Sequence, residues 1–346
     1  MPAMLLTEVR GRNNLKSLRV VRLVSSIAVL LVFGGWPAVD ALAWKPEVDA
    51  HFFLDNTEYF SDLRVGETLL GVNAAAYLAH DAGPLRFEIG GFAQRYSGSE
   101  DDIDWFSPWL RLKATGKSWE LITGALDSRE QYFLGDALSE SQRSITVPIE
   151  EGLQIRYHGE HFAEDLWLSW FKLNTAEHRE FIAVGSRSTL SWTGWEGELA
   201  WRISHHGGQL YHADQPVGDN LAGRLSLQYR YVLDAGPALG TRASLFGSYD
   251  RPDRSDENLD TQGNGYEVAV FANFPWVDLR IAYFKGQDFI VELGNPIYRT
   301  GEPLWRGTLG KSFAIGPSTL TVKAEALRLE GEVEYAYGVS WEVFFR

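Results

Sequence analysis

The stretch Leu221–Asp250, LAGRLSLQYRYVLDAGPALGTRASLFGSYD, decides the fold. Its first half places Leu221, Gly223, Leu225, Leu227, Tyr229, Tyr231 and Leu233 on odd positions. Ala222, Arg224, Ser226, Gln228, Arg230, Val232 and Asp234 stand on even ones. A period of two is the β-strand repeat, one face apolar and the other polar. Ala235-Gly236-Pro237 is a turn signal. A second alternating run follows, with Leu239, Ala243, Leu245 and Tyr249 on one side and Arg242, Ser244 and Ser248 on the other. Both runs are longer than the roughly 5–6 residues usual in soluble sheets. Tilted strands of about 9–11 residues or more are what a bilayer requires. Tyrosines near the ends of the apolar face sit where a membrane interface wants them. The pair reads as one hairpin of a transmembrane β-barrel.

Alternation and turn residues elsewhere give about sixteen strands, within limits of twelve to eighteen. They lie near 48–59, 67–80, 84–97, 104–115, 117–126, 151–159, 164–174, 180–192, 195–206, 221–233, 238–250, 264–274, 276–286, 303–314, 317–330 and 333–345. Their connections alternate. Asp81–Gly83, Gly116, Thr193-Gly194, Asp234–Pro237, Pro275 and Gly316-Pro317 are tight, and most of the intervening links are longer. Short periplasmic turns and longer external loops are the habit of an outer-membrane barrel, and an even strand number puts both chain ends in the periplasm. Two places fit less well: the links at 160–163 and 175–179 are similar in length, and Gly331-Glu332 is short where a loop is expected.

Residues 1–43 read as a signal peptide rather than as fold. Arg10, Arg12, Lys16, Arg19 and Arg22 precede an apolar core at Leu23–Phe33, and Ala41-Leu42-Ala43 supplies small residues for cleavage. That core is shorter than the roughly 20 residues of a spanning helix. Residues 44–346 then form a single barrel domain. Leaving out five basic and two acidic leader residues takes the formal charge from −14 to −17, which argues against a nucleic-acid partner. The absence of cysteine removes disulfides, thiolate catalysis and zinc–sulfur sites together. No helix-length apolar run follows the leader, so a helical membrane protein is excluded.

The last strand carries Tyr335, Tyr337, Val339, Trp341, Val343 and Phe345 on one face. It resembles the C-terminal strand of Gram-negative outer-membrane barrel proteins, although Arg346 follows the final aromatic residue. The longest internal link, 127–150, joins the fifth and sixth strands. This arrangement is similar to that of the general diffusion porins, sixteen-stranded barrels whose loop at this place folds inward and narrows the pore. The likeness lies in architecture; within the loop only Tyr132-Phe133-Leu134-Gly135 stands out. It implies an acidic loop, Asp136 and Glu140, facing a basic wall of Arg86, Arg111 and Lys113, with Arg86 and Arg111 tuning ion selectivity. Two further segments, Phe53–Tyr59 and Pro148–Gln154, are similar to uncharacterised outer-membrane barrels, and no activity attaches to that likeness.

Assigning each polar face to the interior gives the lumen Arg86, Arg111, Lys113, Arg156, Arg202, Arg224, Arg230, Arg242, Arg280 and Lys323. Against these stand Glu88, Glu196, Glu198, Glu267, Asp278, Glu325, Glu334 and Glu342. A mixed charged wall suits a water-filled channel, because charge buried away from water is costly, and part of it suits ion pairing between neighbouring strands. The pore-lining or constriction candidates are Arg86, Glu88, Arg111, Lys113, Asp136, Glu140, Arg224, Arg230, Arg242 and Arg280.

Chemistry of other kinds is thinly marked. No Gly-x-Ser-x-Gly occurs, and Ser204 beside His205 and His206 puts neighbours on opposite faces of a strand. His205, His206, His212 and Asp214 read as solvated residues about a loop, and the acids at 100–104 lack the spacing of a calcium site. The expectation is therefore a bacterial outer-membrane porin-like channel, not an enzyme and without cofactor or metal. It would pass small hydrophilic solutes or oligosaccharides, contact outer-membrane lipid and, by architectural analogy, form a homotrimer. A substrate-specific or exopolysaccharide-export barrel is the alternative, and an outer-membrane hydrolase comes third.

Overall fold

The computed structural model describes residues 44–128, 134–211, 213–234 and 236–346. The proposed leader, Tyr132 and Phe133 of the loop signature, His212 and Ala235 lie outside the described residues.

Sixteen antiparallel strands close into one barrel. The first eight are β1 (Lys45–Glu58), β2 (Thr68–Ala82), β3 (Leu85–Tyr96), β4 (Trp105–Thr115), β5 (Trp119–Ala125), β6 (Glu151–His158), β7 (Phe162–Lys172) and β8 (Glu180–Trp192). The remainder are β9 (Trp195–Gly207), β10 (Gly218–Val232), β11 (Ala238–Arg251), β12 (Thr261–Asn273), β13 (Asp278–Gln287), β14 (Leu304–Ile315), β15 (Ser318–Leu329) and β16 (Glu332–Phe345). Each strand pairs with its sequence neighbours, and β16 also pairs with β1, from Val48 opposite Phe345 to Glu58 opposite Tyr335. Closure satisfies every strand edge, which is what lets a sheet stand in lipid. No helix among the described residues is long and apolar enough to cross a membrane.

Solvent exposure is inverted relative to a soluble protein. On β10 and β11, Leu225 is 58% and Leu245 64% exposed, whereas Arg224 retains 6%. The apolar side chains point outward to lipid and the polar ones inward. Aromatic pairs mark both edges of the apolar belt. Trp195 and Tyr229 lie 4.8 Å apart at the short-turn edge, and Tyr283 and Trp305 lie 4.9 Å apart toward the long-loop edge. The short link between β15 and β16, which departs from the alternation, is a tight turn. Glu330 and Gly331 both take positive φ there, 52° and 91°.

Two long-loop connections fold back into the barrel. Leu126, Leu134, Ala137 and Leu138 after β5 meet Phe289, Val291, Ile297 and Tyr298 after β13. Around them stand wall residues Ile122, Trp167, Phe246, Phe284, Leu304 and Leu327, so an apolar core occupies part of the lumen. The ring of Phe284 makes edge contacts with Phe246 and Tyr298 at 5.6 and 4.9 Å. A second apolar cluster on the other wall holds Tyr77, Phe92, Trp109 and Ile149, with Tyr77 stacked on Trp109 at 5.5 Å.

Candidate functional site

Polar contacts latch the two inserted loops together. Gly135 turns the first with φ 74°, and a Cβ there would lie 2.3 Å from Nη1 of Arg224. The next residue, Asp136, accepts from Ser141 N–H at 2.9 Å, from Asn295 Nδ2 at 2.8 Å and from Arg306 Nη1 at 2.9 Å. The backbones join as well: Glu140 N–H donates to Leu293 O and Asn295 N–H to Asp136 O, both at 2.9 Å. Burial pushes the Asp136 carboxyl up, but Arg306, Ser141 and Asn295 more than offset it and hold the group below the usual aspartate range. Arg306 also pairs with Glu325 at 2.6 Å and donates to the Tyr298 hydroxyl at 2.9 Å. Burial raises that tyrosine to about 12. On the far side of the loop, Glu140 pairs with Arg64 at 2.5 Å, and Gln142 accepts from the same guanidinium. Burial raises Glu140, with Arg64 opposing.

The loop acids therefore do not face Arg86, Arg111 and Lys113. The loop leans toward β13–β15, where the second inserted loop supplies partners. Acids closer in the wall engage the expected basic cluster instead. Arg86 pairs with Glu47 at 2.5 Å and Glu88 at 2.8 Å, and Lys113 pairs with Glu120 at 2.6 Å. Arg111 pairs with Asp127 at 2.9 Å and donates to the carbonyls of Ala125 and Leu126. Farther round, Arg224 and Arg242 share Glu198 with Arg187, and Arg280 pairs with Glu267 at 2.5 Å. Arg230 is exposed, and none of the described residues forms an ion pair with its side chain.

A different cluster sits on the outward face at the long-loop rim. His205 of β9 lies directly opposite Asp219 of β10, one outward pair beyond Ile203 and Leu221 of the lipid-facing belt. His205 Nδ1 is 2.8 Å from Asp219 Oδ1. Arg254, from the loop after β11, forks onto both oxygens of Asp219 at 2.5 and 2.8 Å. The imidazole lies over Gly207, where a Cβ would come within 2.0 Å of Nε2. Its neighbour faces the other way. His206 Nε2 contacts Glu292 Oε1, Ser204 donates to Glu292 Oε2, and the His206 ring stacks on Phe181 at 4.2 Å. Burial raises Glu292, but the contacts from His206 and Ser204 prevail and hold it low. Sequence reasoning left both histidines solvated about a loop. They stand on β9, each with a carboxylate. Ser204 and His206 are two residues apart and share a face, both meeting Glu292, so the sequence reading that set Ser204 opposite its histidine neighbours holds for His205 and not for His206.

On the opposite wall, at the same height, Asn56 on β1 accepts from the Thr68 hydroxyl of β2 and reaches Glu58 at 3.4 Å. This is a second outward polar group, above Leu54 and Leu70 of the belt, and it falls in the segment Phe53–Tyr59 singled out in the sequence.

Residues 40–325 match the family described as lipid A 3'-O-deacylase-type. The chain belongs to that family. This corrects the expectation of a chain that is not an enzyme, because the family is named for an ester-cleaving activity. Porin-like architecture hid the point: a barrel's strand pattern reports its membrane and its width, not its chemistry. No curated protein matches. Solved structures of similar fold include OprD of Pseudomonas aeruginosa, 9% identical, TM-score 0.55, with 87% of this chain and 95% of that one covered. The anion-selective porin of Comamonas acidovorans is 11% identical, TM-score 0.53, with 88% and 100% covered. The trimer form of OmpT from Vibrio cholerae is 8% identical, TM-score 0.51, with the same coverage. Such identities show a shared fold, that of outer-membrane porins, and this family member is accordingly a bacterial outer-membrane barrel.

A signal for the rim site was present in the sequence. On β9 and β10 the outward apolar series ends one step short of the strand ends and continues as His205 and Asp219. The second inserted loop carried one too, since Phe289, Val291 and Leu293 alternate inside a connection.

Proposed function

We propose that this barrel hydrolyses an O-linked acyl ester of a glycolipid of the lipid A class in the outer leaflet, with His205 as general base. The observation that carries this reading is the His205–Asp219 pair on the lipid-facing side, just above the apolar belt. An enzyme acting on a membrane lipid must present its base there. Asp219 accepts the Nδ1 proton and fixes the ring, leaving Nε2 to take a proton from water as that water attacks the ester carbonyl. Collapse of the tetrahedral intermediate breaks the bond to the sugar oxygen, and the imidazolium returns the proton to that oxygen. A free fatty acid and a free hydroxyl result. Arg254, forked onto both oxygens of Asp219, holds that carboxylate oriented.

The test is mass spectrometry of lipid A from cells carrying the barrel in their outer membrane. The wild type removes one O-linked chain. His205→Ala and Asp219→Asn lower the rate by about 10²-fold or more, the usual share of a general base. Gly207→Ala, which displaces the ring, lowers it too. Asn56→Ala on the opposite wall leaves it unchanged. Full activity in His205→Ala, or loss only in Asn56→Ala, would place the chemistry elsewhere.

Diffusion of small hydrophilic solutes is a second reading. A polar cavity of about 630 Å³ in the lumen favours it. Stepwise ohmic conductance in a planar bilayer supports it, and silence removes it. A homotrimer is the assembly to test, by native mass spectrometry.

A further inference from the structure

We propose that the lumen beneath the inserted loops is a binding site for a small polyanion, a solute bearing several carboxylates or phosphates, that enters from the periplasm. The proposal is independent of the rim chemistry and of whether the lumen conducts. The cavity of about 630 Å³ is roofed by Tyr59, Asp136, Gln142 and Asn295 of the latch region, and it extends to Asn273, Asp278 and Ser312 near the short turns. Its size is that of a small-molecule site.

The lining is unbalanced in charge. Seven cationic side chains contribute against four carboxylates, Asp55, Asp136, Asp278 and Glu325. Each of those acids is already engaged. Lys323 holds Asp55, Lys311 holds Asp278, and Arg306 holds both Asp136 and Glu325. Arg280 and Arg242 face the cavity while their carboxylate partners, Glu267 and Glu198, lie outside its lining. Arg230 faces the cavity with no carboxylate from the described residues and is exposed. Neutral groups that donate or accept, Gln228, Thr308, Ser312 and Thr321, fill the spaces between. A water-filled recess within low-dielectric walls concentrates the field of such a surplus, so an anion of matching size is drawn in and held by several guanidinium and ammonium groups at once. A neutral solute gains none of this.

Isothermal titration of the purified barrel in non-ionic detergent at low salt tests the site, with citrate and inorganic phosphate as probes and sucrose as the neutral control. Citrate and phosphate should bind and sucrose should not, with citrate the tighter. Arg230→Gln should weaken citrate about tenfold, in keeping with loss of one close charge, and Arg230→Glu should abolish it. Arg230 makes no ion pair with any of the described residues, so these variants orphan no acid among them, and heat-modifiable gel mobility verifies that they assemble. Direction of entry is read from single cysteines in this cysteine-free chain. A bulky maleimide adduct on Ser312→Cys, at the short-turn end, should block citrate, whereas one on Ser255→Cys in an outer loop should not. No binding of citrate by the wild type, equal binding by Arg230→Glu, or blockage only from position 255 would each overturn the proposal.

Discussion

Asp136 shows how much one carboxylate can hold. Its side chain is 6% exposed and gathers a guanidinium, an amide and a backbone N–H from three separate parts of the chain. Its pKa lies below the ordinary value in the folded barrel, so the latch contributes its full stability above the unfolded-state range and loses it as pH falls through the lowered folded value. Glu140 runs the other way: with its pKa raised, its ionisation opposes the folded loop as pH rises through the ordinary carboxylate range. Hydrogen exchange of residues 134–146 should therefore stay slow at mildly acidic pH and accelerate only below the usual aspartate range. Asp136→Ala should mimic that state at neutral pH and destabilise the barrel by about 3–5 kcal/mol in urea titration, because Arg306 is left buried and short of a partner. Unchanged protection in Asp136→Ala would show that apolar packing alone keeps the loop in place.

At the scale of elements, the two inserted loops behave as a small core built inside a sheet. Leu134, Leu138, Phe289 and Ile297 are each at most 1% exposed, and such side chains stabilise by roughly 1.5–3 kcal/mol apiece when buried. They fill lumen that sixteen strands would otherwise leave open. Replacing residues 134–146 by a short Gly-Ser linker should leave the strand ladder assembled, since no strand lies in the segment, and raise single-channel conductance severalfold. Conductance identical to the parent would mean that the constriction is set by the wall. Strand positions were legible in the sequence because alternation and turn residues repeat on every hairpin. The insertion of 288–303 was not, because a loop's apolar residues do not say which cavity receives them.

For the molecule as a whole, the inside–outside assignment is the claim on which the rim site and the lumen cavity both stand. Leu225 and Gln228, three residues apart on β10, lie on opposite faces, and the two faces should tolerate charge differently. Leu225→Arg should destabilise the barrel in lipid vesicles by about 2–4 kcal/mol, the penalty for arginine near the bilayer midplane, whereas Gln228→Arg should be nearly neutral. Equal penalties would contradict a lipid-facing Leu225.

The candidate sites divide along the same line. Arg86, Arg111 and Lys113 were assigned to the lumen from parity, and parity is local: every second residue faces the same way. Which acid each meets depends on distances across the closed barrel and on where two loops come to rest, and no sequence period encodes either. The His205–Asp219 pair depends on the register of β9 against β10 across the long connection 208–217, which a residue count along the chain does not fix. By itself the sequence determined the strand pattern, the faces and the membrane, since alternation at a spanning length admits little else, while the count of sixteen within a range of twelve to eighteen came from the closed sheet. Closure of the sheet decided the rest. It set the two inserted loops against wall residues far away in the chain, as Asp136 meets Arg306, and the pairing of neighbouring strands set His205 beside Asp219.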